Sequence, residues 1–245
     1  MTHGFDNVYA DAGRARAYAD LGFPGTYYLA FRDLPALLQK HARGTRALDF
    51  GCGTGRSTRF LQGLAYKVTG VDVSQPMIDQ ARERDPAGDY RLVADGKLAG
   101  LATRGFDLVL AAFTFDNIPS DRQKSAALRE LRRLLPPEGR LLIVVSSPQI
   151  YLHEWASFST RDFPANRTAR DGDPVSIVML DIADRRPVLD VLCTDTHYRE
   201  LFGAAGLEVV EASRPLATGA EPVGWVSETT IAPWTIYVLG PASDR

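Results

Sequence analysis

The sequence predicts an α/β protein built on a doubly wound, mainly parallel sheet, and three observations carry that prediction. Short apolar runs at 46–50, 67–71, 89–94, 106–112 and 139–146 are mostly separated by helical stretches of mixed polarity. That alternation is the pattern of βαβ units joined by right-handed crossovers. The first run ends in a glycine turn, Asp49-Phe50-Gly51-Cys52-Gly53-Thr54-Gly55, which leads directly into the helical segment Ser57-Thr58-Arg59-Phe60-Leu61. The second ends in an acid, Asp72, 17 positions past Gly55.

Each element has its own signal. Residues 8–42 read as helix in two pieces, broken at Gly22-Phe23-Pro24-Gly25, with Pro35 tolerated only at a start or kink. Ser74 is placed to cap a helix carrying Met77, Ile78 and Ala81, and Ser120 with Gln123 forms a capping box ahead of Leu128, Leu131, Leu134 and Leu135. Pro136-Pro137-Glu138-Gly139 stops that helix and turns the chain into the apolar strand 141–145. Beyond residue 147 the alternation lapses: 148–174 has no clear period, and 175–180 with 188–192 reads as an inserted β-hairpin. Asp195 then caps a helix with Tyr198, Leu201, Phe202 and Ala205 on one face, closed by Gly206. Strands at 207–211 and 234–239 follow.

Composition narrows the function. A chain of 245 residues buries one large core, and with no repeat or linker a single domain over 1–245 is expected. Net charge is −2 with no run of Lys or Arg, which argues against a nucleic-acid partner and for a small molecule. No basic start with an apolar segment and no window of about 18 apolar residues occurs, so a soluble cytoplasmic protein without a membrane partner is expected. Cys52 and Cys193 are the only cysteines, and without a secretion signal no disulfide is expected. Cys52 lies inside the glycine turn, where a small residue suffices.

The turn carries the chemistry. Alternate glycines permit positive φ and close backbone approach to a ligand, and an acid ending the next strand suits a ribose diol. A dinucleotide fingerprint has its third glycine one position later, where this chain has Arg56, and normally lacks an acid at the position of Asp49. The Asp-x-Gly-x-Gly-x-Gly string followed by Val71-Asp72-Val73-Ser74 closely resembles the class I, Rossmann-like S-adenosylmethionine-dependent methyltransferases of small-molecule type, over most of residues 45–240. The resemblance implies a seven-stranded sheet whose last strand, 234–239, is antiparallel. It divides the chain into a helical cap (1–44), a cofactor-binding core (45–147), an inserted lid (148–194) and a last helix with strands (195–245).

The same resemblance implies S-adenosylmethionine as cofactor, with S-adenosylhomocysteine as product. The turn of Asp49, Gly51, Cys52 and Gly53 would hold its amino-acid end, and Asp72 its ribose hydroxyls. Val73 and Met77 match apolar positions near the adenine, although core packing accounts for each equally well. Asp95 and Gly96 match the segment facing the adenine amino group, where Asp95 also fits as a turn cap. The 106–113 strand, through Ala112, would run beneath the reactive methyl.

Ligands in open α/β sheets bind beyond the carboxyl ends of the strands. That places Phe113, Asp116, Tyr151, Trp155 and Trp225 on the acceptor side, with Glu221 and Glu228 in the same 214–233 loop. Tyr9, Tyr18, Tyr27 and Tyr28 are lid candidates from the N-terminal helices, with Tyr18 and Tyr27 in the expected substrate set. The aromatics suit a small hydrophobic core under the hairpin just as well. Transfer to N, O or C of a small acceptor by direct displacement needs alignment and water exclusion, and no residue need be strictly catalytic. His153 is the best placed candidate base; a structural hydrogen bond explains it equally. Asp116 either orients an acceptor or holds the turn before Pro119. The Asp/Asn-Pro-Pro-aromatic motif of amino-directed DNA methyltransferases is absent, and Asp116-Asn117 is too little for a metal cluster, so no metal is expected. The competing function is a cofactor-binding scaffold or regulator without transferase activity.

Overall fold

The computed structural model of the chain describes residues 11–94 and 98–242. Its strands are β1 (Arg46–Phe50), β2 (Lys67–Asp72), β3 (Asp89–Leu92), β4 (Leu108–Ala112), β5 (Arg140–Ser146), β6 (Phe158–Ser159), β7 (Pro174–Met179), β8 (Val188–Val191), β9 (Leu207–Ser213) and β10 (Trp234–Pro241). The helices are α1 (Ala12–Ala19), α2 (Gly25–Arg32), α3 (Leu34–His41), α4 (Arg56–Gly63), α5 (Gln75–Arg84), α6 (Asp121–Leu134) and α7 (Asp195–Ala204). Seven strands form one sheet in the order β3-β2-β1-β4-β5-β10-β9. β10 runs antiparallel to both β5 and β9, while β3 to β5 are joined through parallel pairs.

Strand residues alternate between two cores because the sheet is covered on both faces. Leu142 and Val144 face a core shared with Leu29, Leu34 and Leu61 of the helical layer and with the inserted segment. Leu141, Ile143 and Val145 face the other, packed by Leu128 and Leu131 of α6 and Phe202 of α7. The doubly wound architecture expected from the alternation is therefore present. Strand order reverses between β1 and β4, so a crevice opens beyond their carboxyl ends. Among the described residues no helix is long and apolar enough to cross a membrane.

Three local expectations need correction. The described N-terminal region holds three helices rather than two, because the chain restarts at Asp33 and Pro35 occupies the first turn of α3, where its missing N–H costs nothing. α7 is capped by Thr194, whose side chain accepts from the His197 N–H at 3.4 Å, not by Asp195. Asp195 instead accepts from the Tyr237 hydroxyl at 2.6 Å. The hairpin β7–β8 is joined by β6 into a separate three-stranded antiparallel sheet.

Two polar knots tie the covering segments to one another and to the sheet. Glu228, fully buried, accepts from the Thr26 hydroxyl (2.6 Å) and the N–H groups of Ala156 (2.7 Å), Val226 (2.9 Å) and Ser227 (3.1 Å). Trp234, at the start of β10, donates its indole N–H to the Thr26 carbonyl at 2.7 Å. The second knot joins α1 to the turn of the hairpin: Arg186 pairs with Asp11 (2.9 Å) and Asp184 (2.6 Å), and buried Arg14 lies 3.6 Å from Asp184.

Candidate cofactor and acceptor site

The three glycines of the turn all lie in the left-handed region, at φ 74° (Gly51), 53° (Gly53) and 79° (Gly55). Their surroundings differ. A Cβ on Gly51 would fall 2.3 Å from Thr114 Oγ1, and one on Gly55 2.6 Å from the Tyr90 hydroxyl, so both positions are closed by packing. A Cβ on Gly53 would meet only Met77 Sδ, at 4.0 Å. Its α-carbon therefore faces open space at the start of α4, a helix without a side-chain N-cap. First-turn N–H groups of such a helix favour a negative or polar ligand group.

One acid touches this turn directly, and a second lies buried in the strand that leads into it. Asp72, half-buried at the end of β2, accepts from the Gly53 N–H and the Ser74 N–H, both at 2.8 Å. Burial raises its carboxyl above the ordinary range, and those backbone donors oppose the rise. Asp49 is fully buried in β1, where its Oδ2 accepts from the hydroxyls of Ser57 (2.7 Å) and Thr58 (2.6 Å). Its Oδ1 is buried and meets no hydrogen-bond donor among the described residues. Burial pushes the Asp49 carboxyl up to about 6, the Asp72 charge adding to the rise and the two hydroxyls opposing it. Cys52 is buried against Ile78, Ala81 and Tyr90, and desolvation lifts its thiol far out of the nucleophilic range. Beside Asp72, Val73 is 51% exposed, whereas Met77 is buried beneath the turn. Asp95 and Gly96 lie outside the described residues.

A narrow cavity, with free space of about 40 Å³, opens beyond the ends of β4 and β5. Tyr18 and Tyr27 of the helical cap, Phe113 and Trp234 form aromatic walls, and Ile177, Met179 and Val188 of the hairpin close it. Phe113 follows half-buried Ala112 at the end of β4 with φ 61°, a left-handed conformation costly for a bulky residue. Its ring packs 4.7 Å from Trp234 and 5.6 Å from Tyr27, centroid to centroid. The polar end of the cavity has two buried carboxylates. Asp116 accepts from the Ser146 N–H at 2.9 Å and the Tyr198 hydroxyl at 3.4 Å. Asp190, from β8, accepts from the Asn117 amide at 3.1 Å and the Tyr151 hydroxyl at 2.9 Å. Burial raises both carboxyls.

Residues 48–143, from β1 into β5, match the family described as the methyltransferase domain. Among curated proteins, the demethylmenaquinone methyltransferase of Thermotoga maritima is 34% identical over 126 residues, 46% of this chain and 53% of that protein. The ubiquinone biosynthesis O-methyltransferase of Xanthomonas oryzae pv. oryzae is 32% identical over 104 residues, 41% of this chain and 42% of that one. The chain spans about half the length of the curated relatives it matches. Among solved structures, the CcbJ methyltransferase from Streptomyces caelestis has a TM-score of 0.68 at 20% identity, covering 97% of this chain and 100% of that one. That likeness extends the shared fold beyond the matched stretch to the cap and the insertion.

Around the matched stretch, the structure sorts the expected acceptor residues. Tyr18, Tyr27, Phe113 and Asp116 come together on the cavity. Tyr151 stands behind the wall and reaches Asp190. His153 is not on the cavity: the 3-10 turn at Pro148–Tyr151 carries the chain past it, and the His153 ring ends 3.2 Å from Gln149 Oε1. Trp155 is core, its indole N–H donating to the Ile150 carbonyl at 2.8 Å, and Trp225 donates to Glu221 at 3.2 Å away from the cavity. Tyr28 and Glu228 do not line it either, and Tyr9 lies outside the described residues.

Two further residues emerge only from the structure. Asp190 has a signal in the sequence, an acid inside the apolar run Val188-Leu189-Asp190-Val191-Leu192. Arg56 marks, in the sequence, only a position where glycine is missing. Its guanidinium donates to the Gly22 carbonyl (2.6 Å) and the Tyr18 hydroxyl (2.9 Å). It sits 4.8–5.8 Å from the ring centroids of Tyr27, Tyr18, Phe23 and Phe31. One side chain thus joins the glycine turn to the helical cap.

Proposed function

We propose that this chain is an S-adenosylmethionine-dependent methyltransferase acting on a small molecule held in the aromatic cavity, with 1–44, 148–194 and 195–245 serving one unit with the 45–147 core. The observation that carries the reading is the open face at Gly53, whose N–H is held by Asp72, in the turn that follows Asp49 with its unpartnered Oδ1. A ribose diol suits Asp72, whose carboxylate would take two hydroxyl donors. An α-ammonium group suits the Asp49 oxygen that meets no donor, and Gly53 leaves open space beside Asp72. When bound, the cofactor supplies an electrophilic methyl on a sulfonium. The residues of the chain then hold and align the acceptor and exclude water, the terms that matter most for a direct displacement. A net charge of −2 without a basic run fits a small acceptor better than a nucleic acid.

Calorimetric titration with S-adenosylmethionine and S-adenosylhomocysteine, with NADH as control, tests the reading. Selective binding of the first two is expected; binding of NADH alone would overturn it. Asp72→Ala is expected to weaken binding by about 1.5–3 kcal/mol, the scale of hydrogen bonds to a charged group, with folding intact. Gly53→Ala is expected to cost only about 1–2 kcal/mol of stability, from its left-handed φ, while its methyl fills the open face and abolishes detectable binding. Normal binding by the Gly53→Ala variant would remove the turn from the cofactor site.

The pH dependence follows from Asp49. Its carboxyl, raised to about 6, holds a proton in the free protein below that pH. An ammonium partner favours the carboxylate, so binding expels the proton. Affinity is expected to be full above about pH 6 and to fall below it, by up to about tenfold per unit. A flat profile would show that Asp49 makes no such contact. The scaffold reading draws on one observation, the small free space of the narrow cavity. Stoichiometric release of S-adenosylhomocysteine with any acceptor excludes it.

A further inference from the structure

Resting on that reading, we propose that the methyl acceptor is an amine, seated as its ammonium against Asp116 and Asp190, and that Asp190 takes the proton from its nitrogen. The two carboxylates come from separate parts of the chain, the turn after β4 and the inserted hairpin, yet meet on one cavity. Each is at most 5% exposed. Asp190 has one donor on each oxygen, Asn117 and Tyr151, and Asp116 has the Ser146 N–H and a long contact to Tyr198. A carboxylate offers about four acceptor positions, so both keep capacity for N–H donors inside the cavity.

The charge balance points the same way. Facing the pair are Lys124 of α6, Arg14 of α1 and the hydroxyls of Tyr151 and Tyr198. Arg14 already lies 3.6 Å from Asp184. Lys124 is buried with its ammonium 5.6 Å from the Tyr198 ring centroid and does not line the cavity. Once both are ionised, two carboxylates set against one uncommitted cation leave a negative charge for a ligand cation to neutralise. The rings of Tyr18, Tyr27, Phe113 and Trp234 suit the same group, since aromatic faces attract a desolvated cation and cover its apolar body. A carboxylate acceptor would meet only repulsion there. A neutral alcohol would leave the charge unbalanced.

The proton step is balanced within the site. An N–H proton of the ammonium moves to a carboxylate oxygen of Asp190, and the bonding pair stays on nitrogen as its lone pair. That pair forms the new N–C bond while the pair of the S–C bond remains on sulfur, so the cationic charge passes from sulfur to the methylated nitrogen. Burial first, and the Asp116 charge second, push the Asp190 carboxyl up to about 7, the range in which a carboxylate serves as a base at neutral pH.

The test begins with the S-adenosylmethionine titration, which judges the parent reading alone. Protein saturated with S-adenosylhomocysteine is then titrated with aryl- and cyclohexyl-alkylamines, each beside its isosteric alcohol. Amines are expected to bind at least about tenfold tighter than their alcohols, with affinity rising as pH rises through neutrality because Asp190 must lose its proton to receive an ammonium. Asp190→Asn is expected to erase the amine preference and the pH dependence, leaving S-adenosylmethionine binding unchanged. Should that variant fail to fold, Asp116→Asn is expected to lower the amine preference in the same way. Normal cofactor binding together with alcohols or phenols bound as tightly as amines, no amine bound, or an amine preference that survives the Asp190→Asn substitution would overturn the proposal while the methyltransferase reading stands.

Discussion

Glu228→Ala is expected to lower stability by about 3–5 kcal/mol, the upper range for single substitutions. The carboxylate gathers one hydroxyl and three backbone N–H groups drawn from α2, the segment before β6 and its own loop. Alanine leaves those donors buried without an acceptor, and each unsatisfied group costs about 1–3 kcal/mol, offset where water enters. For a chain of this size the melting temperature is expected to drop by roughly 10 °C. Glu228→Gln retains one accepting oxygen and the shape, so it should recover about half of the loss. Calorimetric melting of both variants is the check, and a loss under about 1 kcal/mol for alanine would show that the knot is not structural.

Arg56→Ala is expected to cost about 2–4 kcal/mol and to undock the helical cap. The guanidinium supplies two hydrogen bonds, to the Gly22 carbonyl and the Tyr18 hydroxyl, from within a cage of four aromatic rings. Truncation leaves a void among the rings and an acceptor without its donor. Arg56→Lys should recover little, since a compact ammonium reproduces neither the planar stacking nor the forked geometry. Hydrogen exchange over residues 11–41 reads the effect: faster exchange there, with protection in β1, β4 and β5 retained, is expected. Uniform protection across both regions would show that the cap docks without Arg56.

The legibility of the sequence tracks how local each determinant is. β1 to β5, α5 with its Ser74 cap and α6 with its Ser120 cap come from periodicities and short-range hydrogen bonds, and they fall where the pattern places them. The glycine turn and Asp72 are readable for the same reason, as one contiguous strand–turn–helix unit. The aromatic cavity is assembled from parts far apart in sequence, and there expectation and structure divide. Tyr18, Tyr27, Phe113 and Asp116 reach the cavity, whereas His153 is favoured by its chemistry and its distance from β5, which a single 3-10 turn cancels. Asp190 needs the fold of the hairpin to be seen as a partner of Asp116. Arg56 and Glu228 carry no local sign at all, because their partners are set by tertiary packing.

The knot at Glu228 also bears on how the chain is made. Thr26 and Glu228 are 202 residues apart, and Thr26 and Trp234 are 208 apart. β10, the last of these strands to leave the ribosome, takes an interior place in the sheet between β5 and β9. Until it arrives, β5 and β9 present unpaired edges and the helical cap has neither Glu228 nor Trp234 to dock against. Nascent intermediates therefore expose strand edges and apolar helix faces for most of synthesis, the condition in which chains of this size depend on chaperones.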